Sequence, residues 1–79
     1  MTKMIRQLEN LALTTDLPEY HLKSGDIGTV VLVHGGGAGY EVEFVALDGK
    51  TIAVVSVFPA QVRPVGRGEI AHVRAIEIV

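Results

Sequence analysis

Residues 23–45 read KSGDIGTVVLVHGGGAGYEVEFV, and this stretch decides the fold. It holds a tight turn, an apolar strand, a glycine-rich reversal and a second strand. Gly25 stands between Ser24 and Asp26 just before the apolar run, where the backbone often needs a positive φ that glycine adopts at almost no steric cost. The chain is therefore expected to reverse at Gly25.

The apolar run at 27–33 predicts the first of two adjacent strands. It is almost continuously apolar and β-branched, which is typical of a strand covered on both faces. Gly28 interrupts the run, and a glycine inside a strand usually marks a bulge or a close backbone approach. Small barrels bend their strands by this device, so a strongly bent sheet is expected.

The strand that follows the glycine-rich reversal alternates between large apolar and acidic residues. Side chains in a strand point to opposite faces in turn, so this period of two predicts one buried face. Tyr40, Val42 and Phe44 are expected to face the core. Glu41 and Glu43 are expected to face water, which would make the outer face of this strand acidic.

Shorter strands are predicted before and after this stretch. Residues 11–14 read as a first strand. Asp48 and Gly49 are a strong hairpin signal ahead of a strand at 51–57, whose two sides are both apolar and are expected to be covered. Residues 63–65 resume extended structure after a proline-broken 3₁₀ turn, and the proline of this last strand is expected at a sheet edge.

These elements predict an all-β chain built on one small barrel. The barrel spans residues 11–65 and has five strands. Residues 1–10 form a lead-in that is either a helical turn or extended, since isolated helices of this length are marginal. Residues 66–79 begin with the flexible sequence Gly-Arg-Gly and continue as an extra C-terminal β-strand.

Length and composition exclude several classes of protein. A chain of 79 residues predicts one domain, and the absence of cysteine excludes disulfides and thiolate metal sites. No apolar segment reaches the roughly 20 residues that span a bilayer, and no signal-peptide pattern opens the chain, so a cytoplasmic location without membrane contact is expected. Hydrophobic residues make up 48% of the chain, an excess over what one small core needs.

The order of strands and turns resembles that of the Src-homology-3-like barrels. More closely, segments 16–19, 23–31, 40–44 and 63–65, including GDIGTVV, YEVEF and RPV, resemble a family of small bacterial proteins classed only as a domain of unknown function. The matched residues are turn and core residues, so the resemblance implies a fold and no activity. It also implies a role as a small partner of another protein, as in antitoxin-like or immunity-like pairs.

Residues 25–31 also look like the KOW-type segment of translation and transcription factors whose barrels touch RNA. This second resemblance implies RNA or ribosome association as the alternative function. The charge balance argues against it, because affinity for nucleic acid comes largely from Lys and Arg. Seven basic residues are spread among nine acidic ones, giving a net charge of −2.

The chemically versatile residues form no catalytic, cofactor or metal motif. His21, His34 and His72 lie on different predicted elements, which favours surface histidines over a metal site. The glycine run at 35–39 lacks the lysine and hydroxyl residue of a phosphate-binding P-loop and precedes a strand, so it is interpreted as a hairpin loop. Ser56 and the other hydroxyl residues lack an identifiable His-Asp partner pattern. A non-catalytic protein-interaction module without cofactors is therefore predicted.

The C-terminal segment is where an interface is expected. Its second half consists largely of strand-forming residues, although five barrel strands are already accounted for. An apolar strand on an open edge would template aggregation, so it must pair with the N-terminal strand of its own chain, with a second copy or with another protein. The side chains expected at a homodimer or partner interface are Ile70, Val73, Ile76 and Ile78.

Overall fold

Residues 5–76 are described by a computed structural model of the chain. In this part of the chain, five strands form one antiparallel sheet and two single-turn 3₁₀ helices lie between them, at Pro18–Tyr20 and Pro59–Gln61. The strands are β1 (Asn10–Leu13), β2 (Ile27–His34), β3 (Gly39–Val45), β4 (Thr51–Val57) and β5 (Val62–Pro64). The predicted all-β class is confirmed. No helix among the described residues is long and apolar enough to cross a membrane.

The sheet order is β4-β3-β2-β1-β5. Strands β2, β3 and β4 form a meander of neighbouring hairpins, whereas β1 lies between β2 and β5 and pairs with both. Leu11, for example, lies opposite Gly28 on one side and Pro64 on the other. The edge strands are therefore β4 and β5, and the proline of β5 stands at an edge, where its missing donor does no harm.

The turns that the sequence predicts are present. Gly25 has φ +95°, and the turn closes with a hydrogen bond from the Asp26 N–H to the Lys23 carbonyl at 3.0 Å. The Asp26 carboxylate in turn accepts the Lys23 N–H at 2.8 Å. Gly49 has φ +92° in the β3–β4 loop, where Asp48 accepts the Lys50 N–H at 3.0 Å.

One buried cluster fills the concave side of the sheet. The alternation predicted for β3 is confirmed, because Tyr40, Val42 and Phe44 are all at most 5% exposed. Gly28 lies against them: a Cβ added there would collide with a methyl group of Val42 and lie 2.9 Å from Phe44 Cε1. The predicted close approach therefore occurs. The cluster as a whole comprises Ile5, Leu11, Leu13, Leu17, Leu22, Val30, Tyr40, Val42, Phe44, Val55, Val57 and Val62.

The expectation that both faces of β2 and β4 are covered is wrong within the single chain. Leu32 of β2 is 46% exposed and Val54 of β4 is 55% exposed, both on the convex side. A sheet this small bends around one core, so each strand has only one inner face. The apolar residues on the outer face remain in contact with solvent.

The predicted C-terminal strand is corrected by the structure. Residues 69–76 form no strand, and residues 77–79 lie outside the described part of the chain. The neighbouring edge strand β5 is only three residues long and ends at Pro64, which cannot donate a ladder hydrogen bond. The tail is held instead by side-chain ion pairs, which are described below.

The lead-in before β1 makes a single tight turn. Arg6 and Glu9 close it, with the Glu9 N–H donating to the Arg6 carbonyl at 3.1 Å and the Glu9 carboxylate accepting the Arg6 N–H at 2.8 Å. The Leu8 N–H then donates to the carbonyl of Val30 in β2 at 2.7 Å. Ile5 is buried in the core, so this segment belongs to the packed body of the protein.

Candidate protein-interaction surface

Residues 69–76, named here the anchored tail, cross the surface between two ion pairs. At the first, Arg63 and Glu69 meet in a bidentate contact, with nitrogen–oxygen distances of 2.7 and 2.9 Å. The Gly66 N–H also donates to the Glu69 carboxylate, at 2.6 Å. The Arg63 hydrogen bond, followed by that of Gly66, lowers the pKa of Glu69 to about 2. The carboxylate is therefore ionised at neutral pH and fixes the start of the tail.

The second anchor joins Arg74 to Asp26, the residue that closes the turn at Gly25. Arg74 Nε donates to Asp26 Oδ1 at 2.8 Å, and a terminal guanidinium nitrogen donates to Oδ2. The same guanidinium also donates to the His21 carbonyl at 3.0 Å. This bidentate geometry is the strong form of the pair, because each nitrogen meets its own oxygen. The tail is thereby fastened to the start of β2.

The electrostatics of Asp26 are consistent with this role. Burial alone would raise the pKa of its carboxyl group, but the hydrogen bond from Arg74 and the backbone hydrogen bond from Lys23 outweigh burial and lower the pKa. The pKa of Arg74 is raised, chiefly by its hydrogen bond to Asp26. Both groups are charged at neutral pH, so the anchor is an ion pair.

Two of the four predicted interface residues are displayed between the anchors. Ile70 is 95% exposed and Val73 is 70% exposed. Ile76 is half-buried just beyond the second anchor, and Ile78 lies outside the described residues. The arrangement can therefore present two large aliphatic side chains to a partner from a segment that is tied down at both ends.

A shallow groove lies beside the second anchor. It has a volume of about 310 Å³ and is lined by Asp16, Pro18, His21, Leu22, Lys23, Arg74 and Ala75. His21 enters it from a left-handed backbone position, φ +60°, directly after the first 3₁₀ turn. Because acidic and basic side chains both line it, the groove favours no single sign of ligand charge. It offers polar contacts next to the apolar side chains of the tail.

A polar network covers part of the convex face. The Glu41 carboxylate accepts Ser56 Oγ at 2.5 Å and contacts His34 Nε2 at 2.8 Å. These hydrogen bonds, Ser56 first, lower the pKa of Glu41. Ser56 thus donates to a carboxylate and not to the histidine, so the three residues do not form the nucleophile–base pair of a hydrolase. Glu43 accepts Thr51 Oγ1 at 2.8 Å on the same face.

The other polar candidates are not brought together. Within residues 5–76, no group of three or more His, Cys, Asp or Glu side chains could hold a metal ion. In the glycine-rich reversal, the N–H groups of Gly37 and Ala38 both donate to the His34 carbonyl, at 3.0 and 2.9 Å. Those amides close the hairpin and are not directed at an anion. The reversal is therefore a hairpin loop, as the sequence predicts.

Comparison with known proteins adds a family. The family model described as Domain of unknown function (DUF4926) matches residues 8–64, which include all five strands. The matched range ends at the last residue of β5, so the anchored tail, including Arg74, lies outside it. No curated protein and no solved structure matches the chain.

Proposed function

Because the chain belongs to the DUF4926 family, whose description names no activity, we propose its function from the features of its surface. The proposed function is that of a non-catalytic protein-interaction module. The scaffold of the proposal is a small Src-homology-3-like barrel. Register shifts in β2 at Val31 and in β4 at Ile52 support it, since bulges bend and twist strands as the strongly bent sheet of a small, partly open barrel requires. The proposed location is the cytoplasm.

The observation that carries the proposal is the exposure of Ile70 and Val73 between two ion pairs. A free tail loses conformational entropy when a partner orders it, and this loss weakens binding. Here the contacts of Glu69 and Arg74 already restrict the backbone, so less conformational entropy is lost on binding. Burial of each of these two side chains against a partner contributes roughly 1.5–3 kcal/mol to the free energy of binding.

The proposed partner is a protein with an apolar cleft, as in antitoxin-like or immunity-like pairs, or a second copy of this chain. The polar groove beside Arg74 supplies the kind of rim that surrounds an apolar contact in such interfaces. Ile76, which is half-buried, lies at the edge of this surface, beyond the second anchor. No catalytic step and no cofactor enters the proposal.

RNA or ribosome association, the alternative, has less support. Arg63 and Arg74 are each engaged by a carboxylate and are not available to phosphates without breaking an ion pair. Glu41 and Glu43 make the convex face of β3 acidic, which opposes a polyanion. RNA association is therefore kept as one possible result of the experiment described next.

The test is affinity capture from the native cell with three forms of the full chain. One form is unchanged, one carries Ile70→Asp with Val73→Asp, and the control carries Leu47→Asp. Leu47 is 91% exposed in the β3–β4 loop, so this variant removes a similar apolar group at a site that lies outside the tail. We expect the double variant to lose a protein that the other two forms retain, while all three keep the same melting temperature.

Two results would contradict the proposal. One is capture of the same proteins by all three forms. The other is recovery of RNA whose binding falls steeply with salt, since such dependence is the signature of phosphate contacts. Truncation after Val65, followed by light scattering, checks the tail independently, because a truncated chain with an unchanged mass state and unchanged partners would leave the tail without a binding role.

A further inference from the structure

Within residues 5–76, strand β4 has an open edge. Its seven residues, Thr51–Val57, pair in this part of the chain with β3 on one side only. No backbone hydrogen bond from another segment of residues 5–76 reaches β4 on its free side. An edge of this kind presents unpaired N–H and C=O groups to any strand that can align with it.

The two edges of the sheet are protected to different degrees. Edge strands normally resist pairing by being short, by carrying charge or proline, or by bulging. Strand β5 has only three residues and includes both Arg63 and Pro64. Strand β4 has neither charge nor proline, and its bulge at Ile52 lies near its start. The regular part of β4, residues 53–57, is thus left unprotected.

The convex side of this edge is also apolar. Val54 is 55% exposed, and Phe58, which continues the extended backbone just beyond the strand, is 69% exposed. Val54 and Phe58 are four residues apart in extended chain, so their side chains point to the same face. The open hydrogen-bonding edge and this apolar strip coincide.

We propose that β4 pairs antiparallel with β4 of a second copy of the chain, which makes a two-fold dimer with a continuous ten-stranded sheet. The register centred on Val55, the middle of the regular part, places Ala53 opposite Val57 and Val54 opposite Ser56 of the other copy. Phe58 then lies diagonally across from Val54 of the second copy, within the reach of an aromatic side chain. This surface is separate from the anchored tail, so the inference does not depend on the proposed function.

The two-fold register favours a second copy over an unrelated strand, because it brings the exposed Val54 of each copy beside Phe58 of the other. The paired segments carry no charge, so no like charges meet along residues 53–57. The Glu41 carboxylate, on the strand behind the edge, is already hydrogen-bonded to Ser56 and His34. Association also stops at two copies, because the remaining edges are the protected β5 strands.

The test is sedimentation equilibrium of the full chain from about 10 μM to 1 mM, a range that reports weak dimers. The edge variant is Val54→Lys, which adds a charge at an exposed position of β4. The control is Leu32→Lys, which makes the same kind of change on the same face but in the interior strand β2. Both variants alter convex residues, and their melting temperatures report whether the fold is kept.

We expect a monomer–dimer equilibrium whose dissociation constant Val54→Lys raises by about tenfold or more, since it introduces like charges beside the pairing edge. Leu32→Lys should leave that constant unchanged. Slowed amide exchange of residues 53–57 at high concentration should accompany the dimer. A chain that stays monomeric at 1 mM, or a dimer that Val54→Lys leaves intact, would overturn the inference. Loss of the dimer in Ile70→Asp with Val73→Asp, but not in Val54→Lys, would assign self-association to the tail instead.

Discussion

Gly28 faces the ring of Phe44 so closely that a Cβ at position 28 would lie 2.9 Å from Phe44 Cε1. The same Cβ would meet the Glu43 carbonyl oxygen at 3.1 Å, a backbone atom that cannot rotate away. The aromatic ring of Phe44 thus packs into the space that a side chain at position 28 would occupy. This contact lets β2 and β3 pack closely on the inner face of the sheet.

Gly28→Ala should destabilise the protein by about 1–3 kcal/mol, the usual cost of overpacking a core. The loss follows because Phe44 and Val42 must both move to admit the methyl group. Urea unfolding of the two proteins measures the difference in the free energy of unfolding. Gly39→Ala is the matched control, since its Cβ would meet only the Val57 carbonyl oxygen at 3.4 Å. Equal stability of the two variants would show that the space at position 28 is not needed.

Much of the fold could be predicted because its signals are local. The alternation of β3, the turn glycine at position 25 and the proline-bounded last strand each follow from short-range backbone chemistry. The solvent exposure of the convex face could not be predicted, because a β-branched run shows the same sequence pattern whether its second face is buried or exposed. Leu32 and Val54 are the residues on which that prediction failed.

Less of the candidate interaction surface could be predicted from the sequence. Ile70 and Val73 are exposed, but the predicted strand around them is not formed within the described residues. The tail is held instead by the pair of Arg74 with Asp26, which are 48 positions apart. No periodicity or spacing rule connects two such residues, so the route of the tail appears only in the folded chain.

The turn at Gly25 provides a second prediction. Its φ of +95° is strained for any residue with a Cβ, most of all for a β-branched one. Gly25→Val should therefore lower the free energy of unfolding by more than about 1 kcal/mol. Gly25→Asn should cost less, because asparagine tolerates the left-handed region. Chemical denaturation of both variants checks the order, and a valine variant as stable as the asparagine variant would contradict it.

Arg74→Ala should release the end of the anchored tail. The lost contacts are charge-assisted but partly exposed, so we expect a destabilisation of about 1 kcal/mol. The larger effect should be local: lower backbone order parameters in residues 70–76, with those of β1 to β3 unchanged. Arg67→Ala, an exposed change in the same region, serves as the control. Unaltered order parameters of the tail in Arg74→Ala would remove the anchor as the reason for its order.

Acid should loosen the same anchor. The folded pKa of Asp26 lies below its ordinary value of 3.8, so its stabilising contribution is complete above that pH and is lost as the pH falls through the lowered value. The Arg74 Nε–H resonance, followed by NMR from pH 6 to pH 2, should shift only at the acid end. Asp26→Asn should abolish that shift. A transition of this resonance between pH 5 and pH 7 would contradict the assignment to Asp26.

Metals and nucleotides should not stabilise the chain. The three histidines are dispersed and the glycine loop uses its amides internally, so neither kind of ligand finds a set of convergent groups among residues 5–76. A ligand present at about 100 times its Kd would add roughly 2.7 kcal/mol, which thermal unfolding detects easily. We expect the Tm to be the same with zinc, with ATP and with a chelator. A rise of several degrees with either ligand would reveal a site.

The pairing of β1 with β5 fixes the order in which the sheet can be completed during synthesis. The β2–β3 and β3–β4 hairpins close loops of a few residues and can form as soon as their strands emerge. Strand β1, although made first, keeps one side open until Val62, Arg63 and Pro64 have emerged. Until residue 64 has emerged, the nascent chain therefore carries an exposed aliphatic strand, and the short, proline-ended β5 is the piece that finally covers it.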